Sequence, residues 1–363
     1  ITSMGLSWFS FFRMFRIIDL GSNKIDWKKV FLNWPKGLSV FIGQNTLFKT
    51  RKIVGFIHAL VAWGFTFYLL VNIVDILYGF IPGFKFFPNS IIGKIYKIFV
   101  DTFTIVVLLG IVYFLIRRFL VKDSKLEINP PVMLSDNARV GMKKDSLIVG
   151  FFILFHVGAR FFSASFEIAQ HHSDWYQPAA TTLALLWSNF DMQLLILLEH
   201  ISWWIALGLI LGFLPYFPYS KHAHLFMGPL NIMAKENRRS MTAIETIDFE
   251  DDTIEQFGAK VLQDLPQTQI LDAYACIQCS RCQDACPAYE TGKELSPSAL
   301  EINKRYFINE YSESLANGKV IDKALTDWML TEEAAWSCTT CGFCVEVCPV
   351  GNEPMLDILR ARQ

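Results

Sequence analysis

The stretch CIQCSRCQDACP at residues 276–287 is repeated, in its cysteine spacing, as CTTCGFCVEVCP at residues 338–349. Each run reads C-x-x-C-x-x-C-x-x-x-C-P. The chain has 363 residues and 8 cysteines, so the two runs contain every cysteine. No thiol is therefore left over for a disulfide or for nucleophilic chemistry outside these runs.

This spacing is typical of the ligands of [4Fe-4S] clusters in bacterial ferredoxins, in which the fourth cysteine of each run binds the other cluster. Two zinc sites would also use eight thiolates, but zinc modules usually present two separated pairs of ligands. A disulfide framework is typical of small secreted domains. We therefore predict two [4Fe-4S] clusters, held by Cys276, Cys279, Cys282 and Cys348 and by Cys338, Cys341, Cys344 and Cys286.

Apolar residues are concentrated before residue 218. With 52% hydrophobic, 15% aromatic and 18% charged residues, the chain is too apolar for an ordinary soluble enzyme. Residues 53–78, 98–116, 147–168 and 194–217 are each long enough to cross a bilayer as a helix. Residues 4–18 are apolar but short, and the chain starts at Ile1, so we expect them to be the tail of a further span, with an interfacial helix as the alternative.

Loop charges predict the orientation of this bundle, because cytoplasmic loops are enriched in Lys and Arg. The segment before residue 53 and the loop between the second and third spans are rich in both, whereas residues 171–190 contain neither. The fourth span then ends on the cytoplasmic side. We expect a multi-pass protein of the inner (cytoplasmic) membrane, with its iron–sulfur domain in the reducing cytoplasm.

Histidines in or beside the predicted spans are candidate ligands of one or two b-type haems, because imidazoles on facing helices commonly hold haem iron. Counted at about 1.5 Å per helical residue, His156 lies about 17 Å and His200 about 25 Å from the cytoplasmic edge, so both are candidates for an outer haem. An inner haem would use His58 with either His222 or His224, which lie nearer the cytoplasmic edge. Ionisable side chains at membrane depth are usually functional.

Arg160 lies one turn after His156 and is a candidate partner for a haem propionate. The alternative is an ion pair with Glu167, two turns further along the same helix. The sequence alone does not favour either role.

Residues 287–337 separate the two cysteine runs by more than a compact bacterial ferredoxin would allow. Apolar spacing predicts helices at residues 296–306 and 319–330, with Pro297 in the first turn after Ser296. A helical dicluster module fits this pattern. The acidic residues 244–255 are predicted to form an exposed connector.

The predicted fold is all-α: a transmembrane helical bundle of four full spans plus a partial N-terminal one, followed by a helical dicluster ferredoxin domain. The predicted divisions are an N-terminal partial span and cytoplasmic connector at residues 1–52, a haem b bundle at residues 53–217, a connector at residues 218–265 and the dicluster domain at residues 266–363.

The order of these parts resembles the membrane-bound iron–sulfur oxidoreductases related to heterodisulfide reductase. The resemblance is specific at the cysteine runs and at SKHAH, residues 220–224, which follow Pro218 and Tyr219. The membrane half resembles the gamma subunit of respiratory nitrate reductase, a quinol-linked dihaem cytochrome b. This resemblance implies b haem in the bundle, menaquinone as an exchangeable substrate, and a cytoplasmic redox partner, for which a separate cysteine-rich subunit like that of heterodisulfide reductase is one candidate.

Two features depart from these families. One helix of the nitrate reductase subunit supplies two haem histidines about three turns apart, whereas the first full span here has His58 and then Tyr68, so His156 is the expected substitute ligand. Related oxidoreductases also carry domains with adjacent Cys-Cys pairs that bind a catalytic cluster. We expect any substrate chemistry to need another polypeptide or a missing C-terminal part.

The sequence has no Gly-rich phosphate-binding fingerprint for a nicotinamide or flavin nucleotide, and no basic tract that would indicate nucleic acid. We predict a protein that resides among membrane lipids and passes electrons between a cytoplasmic partner and the menaquinone pool. The alternative is a non-catalytic membrane anchor and electron wire of a larger complex, with no quinone site of its own.

Overall fold

The computed structural model describes residues 2–88, 90–171, 173–236, 247–250 and 257–363. Within these ranges the chain forms helices and loops without a β-strand, which confirms the predicted helical fold class. The α-helices are α1 Thr2–Ile18, α2 Trp27–Leu32, α3 Trp34–Gly43, α4 Lys52–Phe80, α5 Ile91–Leu115, α6 Asp136–His171, α7 Pro178–Ala184, α8 Met192–Phe213, α9 His224–Ala234, α10 Gln267–Ala275, α11 Arg281–Asp284, α12 Pro287–Glu290, α13 Pro297–Glu310, α14 Ser312–Ala316, α15 Leu325–Trp328, α16 Glu332–Ser337, α17 Phe343–Glu346 and α18 Pro354–Arg362.

Shorter helical turns lie between these helices. A π-helical turn at Ile116–Leu120 extends α5. The 3₁₀ turns are Asn45–Phe48, Ser124–Leu126, Leu185–Trp187, Phe217–Tyr219, Lys221–Ala223 and Leu262–Asp264.

The chain divides into two compact units. The span unit consists of Lys52–Val121 and Ile148–Leu214, and the cluster unit consists of Ile1–Arg51, Lys122–Leu147 and Pro215–Gln363. The segment before the first full span therefore belongs to the same unit as the cysteine runs, as does the basic loop after the second span. Apart from residues 247–250, the predicted connector at residues 244–255 lies outside the described residues.

Four helices are long and apolar enough to cross a membrane, which confirms the four predicted spans: Lys52–Phe80, Ile91–Leu120, Asp136–His171 and Met192–Phe213. Their ends differ from the predicted ones. The third helix begins at Asp136, earlier than the predicted residue 147, because helical structure continues through the polar residues that precede the apolar run.

Small residues bring α4 and α5 together in the span unit. A Cβ atom at Gly64 would lie 2.7 Å from Val107, and one at Gly110 would lie 2.3 Å from Val61, so larger residues would force the helices apart. The hydroxyls of Tyr68 and Thr104 are 2.5 Å apart in the same interface.

The loop between the third and fourth candidate spans, described from residue 173, is partly helical. Asp101 of α5 accepts hydrogen bonds from the backbone N–H groups of Ala179 and Ala180, at 2.7 and 3.0 Å. These N–H groups belong to the first turn of α7, where a carboxylate is favourable. A buried aspartate thus fixes a loop helix to the second span.

Of the two helices predicted between the cysteine runs, the first is present and most of the second is not. α13 begins at Pro297, after Ser296 accepts a hydrogen bond from the N–H of Ala299. The prediction of a helix at residues 319–330 is wrong for residues 319–324. Gly318 takes a left-handed backbone conformation (φ 77°) that ends α14, and the N–H of Leu325 donates to the carbonyl of Lys260 instead of to a preceding helical turn.

Candidate functional site

The cluster unit contains two cavities lined by cysteines. One is lined by Cys276, Cys279, Cys282 and Cys348. The other is lined by Cys286, Cys338, Cys341 and Cys344. Each cavity thus gathers three cysteines of one run and the last cysteine of the other, and none of the eight forms a disulfide.

The two runs share one backbone conformation. The second residue after the first cysteine is left-handed in both, Gln278 (φ 54°) and Thr340 (φ 54°), as is the residue after the second cysteine, Ser280 (φ 59°) and Gly342 (φ 74°). These turns direct the N–H of Gln278 towards the Cys276 sulfur at 3.5 Å and that of Thr340 towards the Cys338 sulfur at 3.4 Å. Such N–H groups stabilise thiolates and raise cluster potentials.

Burial of the two four-cysteine cavities, called cages below, opposes ionisation of their thiols. It raises the pKa of Cys276 and Cys282 well above the usual range, and that of Cys348 to about 12. Iron binds thiolates, so the binding of a cluster by each set of four cysteines must release protons from their thiols. Acidic conditions should therefore hinder cluster assembly.

Arg51, directly before α4, is tied to the first cysteine run. Its Nε and Nη2 atoms lie 3.0 and 2.5 Å from Oδ2 of Asp284, and Nη1 donates to the carbonyl of Cys279 at 2.8 Å. Arg281 donates back to the carbonyls of Leu47 and Thr50. The segment that leads into the first span is thus anchored on the loop of a cluster ligand, a contact that no local sequence pattern signals.

Arg51→Gln should destabilise the cluster unit by about 2–3 kcal/mol, because it removes a charged donor from largely buried partners. Lys49→Gln is the matched control. Lys49 also pairs with a carboxylate, Glu346, but its side chain is 44% exposed against 8% for Arg51, so its removal should cost less than about 1 kcal/mol. Thermal loss of cluster absorbance measures both variants, and equal effects would contradict the assignment.

Buried charges surround the first cage. Lys304 lies 2.6 Å from Asp357 and 3.3 Å from Glu301, and Glu301 lines the same cavity as Cys276. Lys235 pairs with Asp272 and Glu353, at 3.1 Å each. Sequence reasoning missed this network, because the i,i+3 spacing of Glu301 and Lys304 is equally typical of a solvated helix face.

Glu301 is the least satisfied member of the network. Within the described residues its carboxyl oxygens accept no hydrogen bond, and burial raises its pKa well above the usual range. Burial therefore favours the protonated form of Glu301, and Lys304 and Asp357, 2.6 Å apart, form the closest ion pair of the network.

Lys304→Met should destabilise the protein by about 3–5 kcal/mol, because it leaves Asp357 charged and buried without its partner. Glu301→Gln, which imitates the protonated acid, should stabilise the protein already at pH 7, because the Glu301 carboxyl is ionised in the unfolded chain and its raised pKa makes folding take up a proton. A raised pKa in the folded state makes Glu301 cost stability as pH rises, so Glu301→Gln should gain stability relative to the unaltered protein at alkaline pH. Denaturation from pH 6 to 9 measures this, and a strongly destabilised Glu301→Gln would contradict it.

His156 lies in a cavity between α4, α6 and α8 of the span unit. It is 2% exposed, and its Nδ1–H donates to the carbonyl of Ala206 at 3.0 Å. The other ring nitrogen, Nε2, is buried without a hydrogen-bond partner in the described residues. This is the arrangement of a metal-ligating histidine, in which one nitrogen is fixed by a carbonyl and the other carries the lone pair.

The same cavity contains several charged side chains. Nε of Arg160 lies 3.1 Å from Oδ2 of Asp75, so Arg160 pairs with α4 and not with Glu167, the partner considered from the sequence. Glu167 and Glu199 also line the cavity, and Glu199 accepts a hydrogen bond from Gln170 at 2.7 Å. Ionisable side chains within membrane spans are usually functional, so this cavity is a candidate functional site.

The other candidate histidines have different surroundings. His200 is exposed, its Nδ1–H donates to the carbonyl of Ile196 at 2.7 Å, and it is not among the residues that line the cavity of His156. His58 lies in the span unit, beside Phe114. His222 and His224 lie in the cluster unit, where burial lowers the pKa of His224 to about 4 and keeps it neutral. Both haem pairings therefore stay predictions.

Comparisons with known proteins match both parts of the chain. A family model described as a 4Fe-4S dicluster domain matches residues 272–352. The probable iron-sulfur-binding oxidoreductase FadF of Bacillus subtilis is 31% identical over 359 residues, covering 88% of this chain and 48% of that protein. EtfAB:quinone oxidoreductase of Syntrophomonas wolfei is 24% identical over 339 residues, covering 86% and 46%.

A probable membrane-anchored ferredoxin of Chromohalobacter salexigens is 30% identical over 139 residues, covering 34% of this chain and 20% of that protein. No solved structure matches. The chain spans about half the length of the first two relatives. It carries a C-terminal 4Fe-4S dicluster domain and four apolar candidate spans, and its relatives support an electron-transfer role at a membrane.

Proposed function

We propose that this protein passes electrons between a cytoplasmic redox partner and the menaquinone pool, through two [4Fe-4S] clusters and b-type haem. The observation that carries the proposal is that one chain combines two four-cysteine cages with a polar cavity inside its membrane-spanning unit. The relative named EtfAB:quinone oxidoreductase supports quinone as one reactant. The cytoplasmic partner would be EtfAB-like, or a cysteine-rich subunit like that of heterodisulfide reductase.

His156 is the residue best suited to hold haem iron, because its Nε2 carries the free lone pair. Bound haem would supply a one-electron centre at membrane depth. We keep the pairings predicted from the sequence as proposals: His200 would be the second ligand of the haem at His156, and His58 with His222 or His224 would hold an inner haem. Arg160 retains the charge to bind a propionate, but Asp75 already neutralises much of it.

Reduction of a quinone takes up two protons with its two electrons. Glu167 and Glu199 line the cavity and would deliver these protons, with Gln170 holding the carboxyl of Glu199 in place. The Asp75–Arg160 pair would balance charge beside them. In the reverse direction the same carboxyl groups would accept protons from the quinol.

The test uses the whole chain in nanodiscs, mixed with a menaquinol analogue. Reduction of the haem and clusters by the quinol would support the proposal. If dithionite reduces the centres but the quinol does not, the protein is an anchor and wire without a quinone site. Glu199→Gln should slow reduction by quinol at least about tenfold and leave reduction by dithionite unchanged.

A further inference from the structure

A stripe of large apolar side chains covers the outer face of α2 and α3. It consists of Trp27, Phe31, Trp34, Leu38 and Ile42, which follow one another at intervals of three or four residues. Within each of the two helices, this spacing places the residues on one face. Each is more than two-fifths exposed, and Phe31 is 75% exposed. We call this set the α2–α3 stripe.

The opposite face of the two helices is fixed within the cluster unit. Val30 and Gly37 are buried, and a Cβ atom at Gly37 would lie 2.6 Å from the side chain of Met233 on α9. Between the two helices, the side-chain amide of Asn33 donates to the carbonyl of Met233 at 3.0 Å. Because this face is held by α9, the α2–α3 stripe must point away from the unit.

Basic residues accompany the stripe. Lys24, Lys28, Lys29 and Lys36 lie in or beside the two helices, and Asp26 is the one acidic residue between positions 20 and 47. Lys24 pairs with Asp19 at 3.3 Å and Lys29 with Glu236 at 3.7 Å, through exposed side chains. Asp26 caps α2 by accepting a hydrogen bond from the N–H of Lys29. Tryptophan and lysine around an apolar helical face are typical of helices that lie in a membrane interface and bind anionic lipids.

The chain between α3 and the first candidate span is short. α3 ends at Gly43 and the candidate span begins at Lys52. Even a fully extended connection of this length covers only about 30 Å. By chain length alone, the bilayer surface is within reach of the α2–α3 stripe.

We propose that α2 and α3 form an interfacial helix pair that lies in the headgroup region of an anionic bilayer. The α2–α3 stripe would enter the boundary between headgroups and acyl chains, and the lysines would contact lipid phosphates. The pair would then be a membrane contact separate from the four candidate spans. This inference does not depend on the haem or quinone proposals.

The test places a photoreactive benzophenone amino acid at position 31 of the whole chain, in nanodiscs of phosphatidylcholine with or without phosphatidylglycerol. Irradiation should join position 31 to phospholipid, at least about threefold more often when phosphatidylglycerol is present. Lys28→Gln combined with Lys36→Gln should remove this preference. Mass spectrometry of the crosslinked peptides gives both results.

Two matched positions serve as controls. Leu109, 66% exposed on α5, should react with lipid in either membrane, and Val320, 65% exposed in the cluster unit, should not react with lipid. Crosslinks from position 31 to protein instead of lipid would overturn the proposal and identify what covers the stripe. Equal lipid yields in both membranes would overturn the assignment to anionic headgroups.

Discussion

Cys348→Ala should remove the cluster that the first cysteine run holds, and leave the cluster of its own run in place. The reason is the composition of the cavities: Cys348 lines one cavity with Cys276, Cys279 and Cys282. Losing one of four thiolates should release that cluster, so iron should fall from about eight to about four atoms per chain. Cys286→Ala should cause the same loss of iron from the other cavity.

Two double variants separate this arrangement from one in which each run holds its own cluster. Cys348→Ala with Cys276→Ala removes two ligands of one cavity, so about four irons should remain. Cys348→Ala with Cys338→Ala removes one ligand from each cavity, so both clusters should be lost. Independent runs would give the opposite pair of results. Electron paramagnetic resonance of the reduced protein would show which cluster remains, and circular dichroism would show whether the helices persist.

The grouping of the cysteines into two cavities was predictable, because the spacing of the ligands along each run limits which of them can bind one cluster. Three ligands within seven residues can reach only one cubane, and the fourth must reach elsewhere. The left-handed conformations of Gln278 and Thr340 were not predictable in the same way, because neither residue type favours φ > 0 strongly. They follow from wrapping the chain around a cage.

The spans were predictable because bilayer thickness sets their length and composition. Side-chain partners were not. Arg160 and Asp75 are far apart along the chain, so the local spacing suggested Glu167 as the partner of Arg160. Only tertiary packing brings Asp75 of α4 next to Arg160. The pairing of Lys304 with Asp357 was not predicted, for a related reason. Charged residues in a soluble helix are normally exposed, whereas α13 is buried on nearly all sides.

His156→Ala should abolish the absorbance of the reduced haem that His156 is proposed to bind, while both [4Fe-4S] clusters remain. Its Nδ1–H is held by the carbonyl of Ala206, and its Nε2 has no other partner in the described part of the chain. Loss of an axial ligand should therefore release one haem, which removes all of the cytochrome b absorbance if one is bound and about half if two are bound.

His200→Ala decides the predicted pairing. If His156 and His200 hold the same haem, the two single variants and the double variant should lose the same absorbance. If His200 only donates a hydrogen bond to the carbonyl of Ile196 at an exposed position of α8, the His200→Ala variant should retain the haem that His156 binds. Added imidazole should restore absorbance to His156→Gly by replacing the lost ligand, which a purely structural role for His156 would not allow. Unchanged haem content in His156→Ala would exclude it as a ligand, and a dithionite-reduced spectrum of the unaltered protein without cytochrome b bands would overturn the haem proposal itself.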